Sequence, residues 1–462
     1  MKNNILNKKT CGWKTLDNNK KIKIDIFCNE YLRFLNNAKT ERETAQIIVD
    51  ILKENVFKDI NAVDKLNIGD KVYLLNRNKA IYAAIIGEDN LTNGINFIGS
   101  HIDSPRLDLK PNPLYEDANL ALFKTHYYGG IKKYQWTAIP LAIHGVIVKP
   151  NGEKIEIKIG EDENDPIFTI TDILPHLASE QFEKKISKAI EGENLNLLIG
   201  SIPNDNSIKE NIMNIINEKY GINEIDFYSS ELEIVPAFKA RELGFDRSMI
   251  AGYGQDDRVC AFTSLKAFLE AKNNSKTLVT IFADKEEIGS MGNTGMDSQI
   301  FELFINELLN KKDQNYAGAL NKLYSNSMML SADVGAGVDP NYQNVSEINN
   351  ASYIGYGVEI CKYTGSRGKS GASDANAEFV AKIRNIFENN NITYQLSELG
   401  KVDLGGGGTI AYILANKGMD VIDCGVPLIS MHSPYEISSK YDVYEAYLAY
   451  KAFLEEKTKT IY

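Results

Sequence analysis

Five histidines occur in 462 residues, and two of them stand where a metal-binding imidazole would. His101 closes the apolar run NFIGS and is followed two positions later by Asp103. His432 comes just after the run VIDCGVPLIS. Between them, Asp256 and Asp257 open a helical pattern, Glu286 and Glu287 follow the run TLVTIFAD, and Asp333 follows MMLSA. Imidazole with carboxylate, and no thiolate, is a donor set for zinc, manganese or cobalt. Two imidazoles and three carboxylates hold two ions if one carboxylate bridges. Two ions ~3.5–4 Å apart would clamp an attacking water and polarise a carbonyl. A carboxylate outside the ligand set would then act as general base. One of Glu286 and Glu287 fits, because neighbours in an extended loop point in different directions. The His-x-Asp spacing suits a ligand whose second ring N–H is held by a carboxylate.

Each piece alone has a plainer explanation. An aspartate before a helix is commonly an N-cap, a lone histidine is commonly hydrogen-bonded structure, and paired glutamates in a loop are commonly solvated. Their joint placement is what argues for a site. Every one follows or precedes a predicted element, and ligands of open α/β sheets bind beyond the carboxyl ends of strands.

The elements that must position these residues are legible from periodicity. Residues 40–57 predict an amphipathic helix, with Thr40 and Glu43 at capping-box spacing and Ile48, Ile51, Leu52 and Val56 on one stripe. Residues 71–87 predict two strands joined by a turn at Asn76–Asn78. The segment LAIHGVIVKPNGEKIEIKIG predicts a hairpin about Asn151-Gly152. Strands alternate with helices again after about residue 249. We expect an α/β fold, with a mixed, largely parallel sheet and helices on both faces, built from residues 1–112 and 249–462. A β-rich insert at 113–248 interrupts it. The glycine run DLGGGGTIA (Asp403–Ala411) lacks the lysine of a phosphate loop; it reads as a tight turn before a helix or as backbone that approaches substrate closely.

Composition narrows the function classes. The net charge of −11 disfavours nucleic-acid and membrane-surface partners, which need basic patches. No apolar stretch reaches spanning length, and the N-terminus is not a signal sequence. Five scattered cysteines without a C-x-x-C pair argue against a disulfide framework or thiolate zinc site, and a reducing cytoplasm is the expected location.

The motifs GSHIDSPRL, DD before a helix, DKEEIGSMG, SADVGAGVDPNY and GVPLISMHSPYE succeed one another in this order. Their set resembles that of the aspartyl aminopeptidase and vacuolar aminopeptidase I family, dizinc exopeptidases, over nearly the whole chain. The resemblance implies a zinc-exopeptidase type of fold and two Zn2+ ions held by His101, Asp256, Glu287, Asp333 and His432. It makes Asp256 the bridge, Glu286 the general base and Asp103 a support of the metal ligands. It implies peptide substrates with a free N-terminus and self-association through the insert, dimers building a dodecamer. LPHLAS resembles the insert motif whose histidine reaches a neighbouring subunit's site, here His176. Lys362 matches a lysine that contacts acidic substrate side chains. The family's Asn-Gln-Arg-Tyr stretch is replaced here by YTGSRGKSGAS, and Ala336 and Asp339 stand where histidines are usual. Asp339 in the pocket would favour a basic or neutral N-terminal side chain. The competing functions are another dimetal amide hydrolase, such as a deacylase or carboxypeptidase, and a non-catalytic assembly or cargo protein.

Overall fold

The computed structural model describes residues 9–272, 275–365 and 367–458. The chain forms two compact units. The first comprises the described parts of 1–103, 240–431 and 436–462; the second comprises Ser104–Lys239 and His432–Tyr435.

The first unit is built on a nine-stranded sheet. Its order is Lys58–Asp59, Lys71–Asn76, Ala80–Ile85, Leu278–Ala283, Asn96–His101, Met328–Ser331, Asp420–Gly425, Val358–Cys361 and Tyr394–Ser397. The four strands from Leu278–Ala283 to Asp420–Gly425 run parallel. Period-two alternation assigns their side chains to two separate cores. Ile98, Phe282, Leu330 and Ile422 face one, and Phe97, Ile281, Met329 and Val421 face the other. A parallel strand buried on both faces needs such an apolar run, and each face is covered by helices. Helices Gln255–Glu270 and Lys440–Leu454 supply Phe262, Leu265, Phe268, Tyr450 and Phe453 to the first core; helix Ile300–Lys311 supplies Phe301, Phe304 and Leu308 to the second. The unit is therefore α/β, a mixed sheet with helices on both faces. A smaller five-stranded sheet, Arg241–Leu243, Met249–Gly252, Glu436–Ser439, Pro427–Ile429 and Gly335–Ala336, completes it.

Helix Glu41–Glu54 carries the capping box. Thr40 Oγ accepts the Glu43 N–H at 3.1 Å, and Glu43 Oε2 accepts the Thr40 N–H at 3.2 Å. Thr40→Ala is expected to lower the unfolding free energy by about 1 kcal/mol, read from chemical denaturation.

The second unit is a six-stranded antiparallel sheet in the order Lys154–Ile159, Leu141–Val148, Ser230–Pro236, Arg106–Asp117, Leu120–Tyr128 and Leu197–Gly200. Its first two strands are a hairpin that pairs Val146 with Glu156. The connection bends at Gly152, whose φ of +86° suits glycine. Helix Ile208–Tyr220, N-capped by Ser207 and closed by left-handed Gly221, belongs to this unit.

Candidate metal centre

Register explains why residues far apart in sequence meet. Ala283 pairs with His101, and Ser331 pairs with Gly99, so three adjacent parallel strands end at one edge. The residues just past each strand end therefore lie side by side: Glu286 and Glu287 beyond Ala283, His101 and Asp103 at the middle strand, and Asp333 beyond Ser331. Asp256 and Asp257 arrive from the start of helix Gln255–Glu270, where both have non-helical φ/ψ and are buried. The peptide joining them is cis.

His101 is at the centre. Its Nε2 lies 3.2 Å from Asp256 Oδ1, 3.9 Å from Glu286 Oε2 and 4.0 Å from Asp333 Oδ1. Its Nδ1 faces Asp103 twice, 3.0 Å from the backbone carbonyl and 3.3 Å from Oδ1. Both acceptors favour a proton on Nδ1, and Nε2 is the ring nitrogen that faces the carboxylates. Asp257 Oδ2 accepts the His101 backbone N–H at 3.2 Å. Asp103 also holds the glutamate turn, accepting the Glu286 N–H at 3.1 Å and the Glu287 N–H at 3.2 Å. The Asp256 N–H is held by Glu436 Oε2 at 3.1 Å.

The glutamates sit on a single 3-10 turn, Glu286–Ile288, and not in an extended loop as expected. Successive residues of such a turn diverge by about 120°. Glu286 accordingly groups with His101 and Asp333, while Glu287 groups with His101 and Asp256. A third group is Asp256, Asp257 and Asp333. Within each, one ligand atom per residue lies within 4.8 Å of the others.

Electrostatics shows how much this crowding costs the protein alone. Burial pushes the Asp333 carboxyl well above the usual carboxylate range, and the charge of Asp257 adds to it. Burial does the same to Asp257. For His101, burial lowers the pKa, but hydrogen bonds with Asp103 and Asp256 outweigh it and hold the pKa well above the usual histidine range. Several carboxylates surround one imidazole in low dielectric, an arrangement that a divalent cation stabilises. Nitrogen and carboxylate oxygen donors without thiolate fit zinc.

The remaining sequence-derived candidates have the following surroundings. His432 groups with the second unit, has a left-handed φ of +64°, and places Nδ1 2.9 Å from the Gly130 carbonyl. His176 is exposed on the short turn Pro175–Leu177 of the second unit. Lys362 is ion-paired with Asp374. Asp339 Oδ1 accepts the Asn341 N–H at 2.8 Å, a local turn contact. None of these four belongs to the clustered groups. No feature of the sequence singles out Asp257 or Glu436 as a hydrogen-bonding partner of the site. Glu436 ends the very motif that carries His432, and that proximity is its only signal.

A family model described as aminopeptidase I zinc metalloprotease (M18) matches residues 34–454. The chain belongs to the M18 family of zinc metallo-aminopeptidases. A probable M18 family aminopeptidase 1 from Clostridium acetobutylicum is 53% identical over 452 residues, which covers 96% of this chain and 97% of that one. The crystal structure of an M18 family aminopeptidase from Thermotoga maritima superposes with a TM-score of 0.94 at 48% identity, covering 97% of this chain and all of that one. The S. cerevisiae mApe1 dodecamer shares the fold, with a TM-score of 0.76 at 19% identity over 94% of this chain and 97% of that one. As an M18 member the chain is a hydrolase that removes N-terminal residues from peptides and uses zinc to do so. The deacylase, carboxypeptidase and cargo readings fall away. Among the described residues no helix is long and apolar enough to cross a membrane.

Proposed function

We propose that this M18 aminopeptidase works with two metal ions, held by His101, Asp256, Glu287, Asp333 and His432, with Asp256 as the bridge. The observation that carries the reading is the convergence of the first four, with Glu286, at one edge of three parallel strands. The assignment of His432 rests on its motif and on its ring. A proton on Nδ1, donated to the Gly130 carbonyl, leaves Nε2 as a donor of its lone pair. Bound zinc supplies a Lewis acid for the scissile carbonyl and makes water more acidic; cobalt or manganese could replace it.

Glu286 takes a proton from the attacking water and returns it to the leaving amine. Asp103 fixes both the His101 ring and the amide of Glu286, so one carboxylate aligns ligand and base. A side-chain carboxylate of the cluster receives the substrate's α-ammonium. Lys362 and Asp339 contribute to the N-terminal side-chain pocket. Lys362 already has its charge offset by Asp374, and Asp339 is anionic, so a basic or neutral side chain is preferred over an acidic one.

The β-rich unit mediates self-association through dimers into a dodecamer, with His176 offered to a neighbouring subunit. The dodecameric state of the S. cerevisiae relative and the exposed Leu174, Leu177, Phe182 and Ile186 support this. The five cysteines, all free thiols, suit a reducing cytoplasm.

An aminoacyl-anilide panel tests the activity. Hydrolysis should be lost on chelation and return with zinc, cobalt or manganese, while N-terminally acetylated peptides stay intact. Cleavage of Asp- and Glu-anilides well above Leu- and Lys-anilides would contradict the pocket assignment. A sedimentation mass other than twelve chains would contradict the assembly.

A further inference from the structure

The segment that carries Glu286 leaves the sheet at Asp284 and returns at Gly295, and a backbone bridge joins these two residues. Beside that bridge, the Thr294 hydroxyl donates to Asp284 Oδ2 at 2.5 Å. Both side chains are buried. Between them the chain is tightly wound. Lys285, Gly289, Ser290 and Gly292 all have left-handed φ, at +64°, +94°, +57° and +82°. The Ser290 N–H donates to the Lys285 carbonyl at 2.7 Å, and the Asp297 N–H to the Ser290 carbonyl at 3.1 Å. A Cβ on Gly295 would lie 2.1 Å from the Ser290 carbonyl oxygen, so only glycine permits the return path. Asn76, at the end of strand Lys71–Asn76, donates its side-chain N–H to the Asn293 carbonyl at 2.8 Å.

Left-handed backbone at Lys285 and Ser290 is unfavourable for residues with a side chain and persists only where surroundings enforce it. Asp103 enforces the turn from the site side, through the Glu286 and Glu287 amides. The contact between Asp284 and Thr294 closes it from behind. We propose that Asp284 and Thr294 are positioning residues for the Glu286 carboxylate: they lock the neck of the segment and thereby set where the base stands. The inference rests on Glu286 being that base.

The test compares Thr294→Val, Thr294→Ser and Asp284→Ala in the full-length zinc enzyme. Valine keeps the size of threonine and removes the donor. Because a 1 Å misplacement costs up to ~10²-fold, Thr294→Val should lower kcat by about 10–100-fold. KM and zinc content should stay within about twofold of the wild type, and serine should restore most of the rate. Thr294→Val is also placed in a Glu286→Gln background, where its effect should vanish if it acts through Glu286. Wild-type kcat in Thr294→Val, a loss that tracks lost zinc, or an undiminished loss in the Glu286→Gln background would overturn the inference. If Thr294→Val does not fold, Asp284→Ala, which removes the acceptor, carries the same expectations. Retained activity in Glu286→Gln alone would instead locate the failure in the assignment of the base.

Discussion

Glu286→Gln is expected to lower kcat by about 10²–10⁴-fold while the protein keeps its zinc. That corresponds to about 3–5 kcal/mol of lost transition-state stabilisation. Glutamine has the shape of glutamate and preserves the amide N–H that Asp103 accepts. It cannot take a proton from water. Glu286 Oε2 lies 3.9 Å from His101 Nε2, at the edge of the carboxylate cluster. Glu287→Gln is the discriminating control. Its side chain groups with His101 and Asp256, and its loss should appear as weakened zinc affinity that excess zinc partly restores. Steady-state kinetics with metal analysis separates the two cases. Identical behaviour of the two variants, or a Glu286→Gln enzyme that has shed its metal, would remove the distinction between base and ligand.

What could be read from the residues divides along the range of the interactions. The apolar runs before His101, Glu286 and Asp333 are local signals of buried strands, and α/β architecture follows from their alternation with helices. That those runs end at one edge depends on register, and the pairing of Ala283 with His101 is a contact between positions almost two hundred apart in the chain. Periodicity does not encode it. Asp103 shows the same limit on a smaller scale. The His-x-Asp spacing announces a carboxylate near the ring, but not that the backbone carbonyl is nearer to Nδ1, nor that the carboxylate divides its acceptors between Glu286 and Glu287. The DD pair has a plain N-cap explanation. The structure gives the residues separate tasks instead: Asp256 faces His101 Nε2, and Asp257 holds the His101 amide. Glu436 and Thr294 act through hydrogen bonds to backbone and side chain whose partners no local pattern names.

Asp256→Ala is expected to abolish hydrolysis and to leave the purified protein with little bound zinc. Asp256 takes part in two of the three clustered groups, and its Oδ1 makes the shortest approach to His101 Nε2. Removing a residue that merely orients a ligand costs about 10–100-fold in metal affinity, and removing Asp256, the bridge proposed above, should cost more. Charge strengthens the argument. Burial already disfavours the ionised forms of Asp257 and Asp333, and each feels the charge of Asp256. With Asp256 gone the apo cluster loses a repulsive charge but also the partner of the His101 ring, so the metal-free fold should change little in stability while metal binding falls. An unchanged apo fold with lost metal separates loss of a ligand from general damage. Thermal midpoints of the metal-free wild type and Asp256→Ala should lie close together. Added zinc should raise only the wild-type midpoint, because a ligand stabilises the native state according to its affinity. An Asp256→Ala protein that binds two equivalents of zinc and gains the same thermal shift would show that the ions are held without it.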